Sequence, residues 1–213
     1  KLTGFGERAE FSLDSTRVLF LSKTFGDAME IDLATGVIRN LTAHFPHHGF
    51  TRALYLANGH ILLSGPTEFN PASVAAARTN CWLFVLDPAG NARPHPLGVK
   101  AAEGPVPSRK RMHIAWSYRA AQFPGGEMPP GSSQMHEADI VYENGVPKLA
   151  NQRKILDSRD LPFRATLEPQ NYRPPQEREL IFSAYDYQQG EVFGIDLTSG
   201  KLTNYSNGPG VYD

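Results

Sequence analysis

The segment EIDLATGVIRNLT (Glu30–Thr42) returns almost unchanged as GIDLTSGKLTNYS (Gly194–Ser206), with Asp32 on Asp196, Gly36 on Gly200 and Asn40 on Asn204. Two weaker copies lie between them, FVLDPAGNARPHPL and DIVYENGVPKL. The turn glycines are then Gly36, Gly90, Gly145 and Gly200, spaced 54, 55 and 55 residues apart. A constant period of this size means one supersecondary unit used again and again. Each copy reads as strand, glycine turn, strand, because alternating runs such as Ala28–Leu33 and Val192–Leu197 flank the glycine on its N-terminal side. Glycine supplies the positive φ of such a turn, and Asp32 and Asp196 can accept bonds from their own backbone two residues on.

A second strand pair precedes each hairpin. Short apolar runs at Val18–Ser22, Ile61–Ser64, Ile114–Ser117 and Ile181–Ala184 each follow a turn. Aligning the preceding strands on Ser12, Tyr55, Ser108 and Arg173 gives spacings of six, six, six and eight residues. Four strands per repeat predict an all-β chain of about four four-stranded blades, part of a β-propeller ring of six to eight. We place the blades at 4–43, 44–100, 101–156 and 157–207 of a single partial domain, with a further blade beginning at 208–213. The repeat starts and stops at one phase, so a missing segment or another chain is expected to complete the ring. Two insertions interrupt it. Thr67–Asn80 predicts a short helix with Asn70 as N-cap and Pro71 at its first position. Phe123–Met135, rich in Gly and Pro, predicts a mobile loop.

Composition narrows the function classes. A net charge of −1 offers no field for nucleic acid, and no apolar run reaches the ~20 residues of a membrane helix. The single cysteine, Cys81, excludes an intrachain disulfide and reads as a buried strand residue.

Two motifs, AEFSLDSTRVLFLS (Ala9–Ser22) and IDLATGVIRNLT (Ile31–Thr42), resemble the inner turn and outer hairpin of TolB-like β-propellers of WD-type repeats; IDLTSGKLTNYS (Ile195–Ser206) matches the second. The resemblance covers the whole chain as architecture and about half of it as motif. It implies a periplasmic or secreted location and a choice among partner-binding proteins, propeller halves of peptidases, and sugar lyases that hold a metal with channel histidines. No G-x-S-x-G nucleophile elbow is present, so a peptidase would need residues outside this segment.

In a propeller, the inner strands start at the channel mouth. The alignment puts Glu7, Phe50, Glu103 and Glu168 there, and convergent carboxylates would raise one another's pKa unless a cation sat among them. An acidic mouth could hold a divalent metal or bind a hydroxyl-rich ligand; equally, each Glu could cap local backbone N–H groups. His47 and His48, in HFPHHGF, are the candidate metal ligands, against a plain solvated loop. Arg52, Gln170 and Asp213 complete the candidate set, with Asn171, Tyr172, Arg164 and Arg173 nearby; planar polar groups beside an aromatic face suit a saccharide. Arg109, Lys110 and Arg111 read as a solvated basic turn, and His95 and His136 as surface residues. Two functional expectations follow: a non-catalytic module binding a protein or glycan at its channel face, and a carbohydrate-active lyase or hydrolase. A third is a structural half of a split propeller.

Overall fold

The structure is a computed structural model and describes residues 1–69, 71–102 and 104–208. Sixteen strands form four antiparallel sheets, each of four strands in chain order. The first sheet holds β1 (Glu7–Phe11), β2 (Arg17–Leu21), β3 (Ala28–Asp32) and β4 (Ile38–Asn40). The second holds β5 (Arg52–Tyr55), β6 (Ile61–Pro66), β7 (Cys81–Leu86) and β8 (His95–Lys100). The third holds β9 (Val106–Pro107), β10 (His113–Arg119), β11 (Ser133–Glu143) and β12 (Val146–Asp157). The fourth holds β13 (Thr166–Tyr172), β14 (Glu179–Tyr185), β15 (Glu191–Asp196) and β16 (Leu202–Asn204).

The period-two alternation of strand side chains gives each sheet two apolar faces. Leu19 and Leu21 of β2 join Ala53, Tyr55, Ile61 and Leu63 between the first two sheets. Leu62, on the opposite face of β6, packs with Ile114 and Trp116 between the second and third. Ala115 in turn packs with Leu180, Phe182 and Ala184 between the third and fourth. Three clusters thus fill the three gaps, and the sheets stack as propeller blades.

The hairpins form as their residues dictate. Asp32 Oδ1 accepts from the backbone N–H groups of Ala34 and Thr35 at 3.0 and 2.8 Å, and Asp196 Oδ1 from those of Thr198 and Ser199 at 3.1 and 2.7 Å. These bonds hold both carboxyls below their ordinary range. Gly36 and Gly200 adopt φ of 71° and 72°, and Gly145 follows Asn144 in a tight turn at φ 80°. Gly90 occupies the same β7–β8 connection without a positive φ, because that loop is longer and Asp87 turns it by accepting from Ala89 N at 2.9 Å.

Polar networks repeat at alternate gaps. Between the first and second sheets, buried Glu30 of β3 meets Arg17 of β2, Arg39 of β4 and the Tyr55 hydroxyl at 2.7 Å. Between the third and fourth, buried Glu137 of β11 meets His113 of β10 and Arg153 of β12, and Tyr172 stands where Tyr55 stood, 5.7 Å between ring centroids from His113. The strand registers make these pairs equivalent.

The structure refines four local expectations. The insertion helix, α1, spans Val74–Thr79 with Ser73 at its N-cap; Asn70 lies outside the described residues. The Phe123–Met135 stretch is a mostly exposed loop over residues 124–131, anchored by buried Met128 and Ser132, and its last three residues already belong to β11. His136 is half-buried, stacked on Trp116 with centroids 6.0 Å apart. Burial lowers its pKa to about 4, helped by nearby Lys154. Arg109, Lys110 and Arg111 are exposed, as a solvated turn would be, but Arg109 also bonds Glu10 of the first sheet. Cys81 opens β7 and is buried.

Candidate functional site at the channel

Strand register, rather than residue counting, decides which side chains share a level of the channel. Glu7 pairs with Leu21, Arg52 with Ser64 and Glu168 with Ser183, each three residues along the second strand from the equivalent Val18, Ile61 and Leu180. Blade two therefore contributes Arg52, not Phe50, at the level of Glu7 and Glu168. Two causes add: the tight turn after Leu56, whose N–H bonds His60 O at 2.8 Å, is one residue shorter than the matching turn after Ser12, and β5 lacks the extra residue that a register shift gives β1 between Glu7 and Glu10 and β13 between Pro169 and Asn171. Phe50 is buried in the gap between the first two sheets.

The upper channel is thus not a ring of like charges. Arg52 Nη2 lies 3.7 Å from Glu168 Oε1, and both are largely buried. Gly104 permits this: a Cβ there would sit 2.7 Å from Arg52 Nε. Glu7 is exposed, bonded by Thr24 and near Arg8. Glu103 and Asp213 lie outside the described residues.

Lower down, all four inner strands converge on one cleft of about 370 Å³, with Glu10, Leu54, Val106 and Asn171 at matching ladder positions. Its far end is closed by turns that reach across the axis. Arg109 of the third sheet bonds Glu10 Oε1 at 3.3 Å and the Phe11 and Ser12 carbonyls of the first. Glu177 of the fourth sheet accepts from Ser108 Oγ and Arg109 N of the third. Burial raises the Glu10 carboxyl, opposed by its bond from Tyr55 N and by the Arg109 charge. Counting along the sequence misses this residue because only blade one is acidic at that level.

The remaining candidates separate. Gln170 donates to Ser183 Oγ at 3.1 Å on the channel wall. Asn171, beside a register shift in β13, and Lys110 line the cleft without a side-chain partner among the described residues. Both ring nitrogens of His47 are engaged: Nε2 faces Asp27 Oδ1 at 3.1 Å, and Nδ1 accepts from Gly49 N at 2.8 Å. His48 is exposed beside it. Among the described residues no group of three or more His, Cys, Asp or Glu is placed to hold a metal, and no helix is long and apolar enough to cross a membrane. Chemically, the cleft offers an open ammonium and an open amide beside carboxylates that are already bonded.

No protein-family model matches the sequence, and no curated protein does either. Solved structures do. TolB from Acinetobacter baumannii superposes with a TM-score of 0.65 at 15% identity, over 99% of this chain and 46% of that one. Oligogalacturonate lyase from Vibrio parahaemolyticus gives 0.59 at 14%, over 95% and 54%. A puromycin-hydrolysing peptidase of Mycobacterium tuberculosis gives 0.56 at 14%, over 96% and 30%. The chain spans about half the length of the first two and less of the third. At such identities the likeness shows the fold alone, and that fold is the β-propeller.

Proposed function

We propose that this chain is a propeller binding module that offers its channel face to a glycan or to a polar segment of a partner protein. One observation carries the reading: Lys110 and Asn171 stand open in the cleft where four inner strands meet, while Glu10 and Glu177 are tied up in bonds between blades. An open amide and ammonium bind hydroxyl or carboxylate oxygens. A glycosidase of the two-carboxylate type needs carboxyl groups free to move a proton or attack the sugar, and the cleft's two carboxylates already serve as structural acceptors. A periplasmic or secreted location follows from the resemblance to TolB-like propellers. On this reading further blades, in the same or another chain, complete the ring.

Calorimetric titration with neutral and acidic oligosaccharides tests it. Binding should weaken about tenfold in Asn171→Ala and in Lys110→Ala, the scale of one lost hydrogen bond to a charged or amide group. Release of new reducing or unsaturated sugar ends during the titration would replace the binding reading with the enzymatic one. Absence of binding both to the sugars and to partner proteins captured on the immobilised chain would sink it.

A further inference from the structure

The gap between neighbouring propeller sheets widens away from the axis, so its outer part demands the bulkiest filling. Between the first two sheets that filling is aromatic. Phe45, His47 and Phe50 follow one another with ring centroids 5.3 and 4.8 Å apart. Phe84 of β7 packs against the same cluster. The filling is incomplete and leaves a pocket of about 450 Å³, within the range that takes small organic ligands. It shares no residue with the channel cleft.

The ionisable groups of this pocket are all basic, with the Thr67 hydroxyl beside them. No carboxylate lines it. His47 is committed to Asp27 and Gly49. Arg93, on the β7–β8 loop, and His48, on the connection between the first two sheets, both line the pocket without a protein partner among the described residues. These two segments are tied together by His44 Nε2 and Ala92 O at 3.0 Å, which fixes the rim. A guanidinium beside aromatic faces binds a carboxylate in two parallel bonds, while the rings take a flat apolar body.

We infer that this interblade pocket is a second binding site, separate from the channel, for a small ligand that joins a planar apolar body to a carboxylate. The guanidinium of Arg93 takes the carboxylate, and Phe45, Phe50 and Phe84 enclose the apolar part.

Titration calorimetry with indole-3-acetate tests this, with neutral indole-3-acetamide as its counterpart. The acid should bind one to one, and the amide about tenfold more weakly, as expected for loss of a charge-assisted pair. Arg93→Gln should erase the difference between the two. Phe84→Leu, confirmed folded by circular dichroism, should weaken both alike, and Lys201→Gln, on a distant hairpin, should change neither. Lack of saturable binding at millimolar acid overturns the inference. So does equal affinity of acid and amide, or a loss caused by Asn171→Ala in the channel in place of Arg93→Gln.

Discussion

Single side chains set the pH response of this fold. His136 is held neutral between Trp116 and Tyr118, with a folded-state pKa of about 4, against about 6.5 in the unfolded chain. Below pH 6.5 the unfolded state binds a proton that the folded state refuses, so stability present at neutral pH is lost as pH falls from about 6.5 towards 4. The two values set a ceiling of about 3.4 kcal/mol, which solvent screening of a half-buried ring cuts to roughly 2 kcal/mol; urea unfolding across this range should show it, and a His136→Gln variant should have a flatter profile. Were the two profiles parallel, His136 would not be the source. Tyr55 gives a second residue-scale expectation. Its hydroxyl donates to buried Glu30, whose other partners are Arg17 and Arg39. Tyr55→Phe should cost about 1.5–3 kcal/mol, the value of a bond to a charged acceptor. Tyr172→Phe should cost little, because the Tyr172 hydroxyl has no partner among the described residues in the equivalent gap. Chemical denaturation of the two variants side by side checks the contrast.

At the scale of elements, the hairpins separate into two kinds that the repeat had grouped together. Gly36 and Gly200 sit at positive φ with open space around them, so an alanine there meets backbone strain and no clash. Gly36→Ala and Gly200→Ala should each destabilise by about 1 kcal/mol, and Gly90→Ala, at an ordinary φ, by nearly nothing. Equal costs at all three positions, measured by thermal unfolding, would refute this distinction. The Asp-led turns were legible in sequence because their bonds are local: an aspartate and the two N–H groups after it are neighbours in the chain. The inner strands were less legible. Blade two's turn is one residue shorter and its first strand lacks the register shift of β1 and β13, so counting back from Tyr55 reached Phe50 while the hydrogen-bond ladder places Arg52 at the channel. A shorter turn and an absent bulge each shift the count by one residue, and neither composition nor motif records them.

For the whole molecule, the channel's closed end is the joint between sheets distant in sequence. Arg109 reaches back to residues 10–12, and Glu177 reaches back to residues 108 and 109. Arg109→Ala should lower the melting temperature by roughly 2–4 °C, the shift for about 1 kcal/mol in a chain of this length. It should also speed amide exchange in β1 more than in β14. Unchanged exchange in β1 would show that the first sheet is held by its apolar gap alone.

The sequence by itself determined the number of sheets, their strand order and three of the four turns with positive-φ glycines. Those features arise from periodicity and from bonds between residues only a few positions apart. Tertiary structure alone decided that Arg52 pairs with Glu168, that Arg109 of the basic run reaches across the axis, and that His136 is shielded by Trp116. Each of these joins groups separated by tens of residues or depends on which face of a strand points inward. Such contacts are set by how sheets stack and by strand register, and a local pattern carries neither.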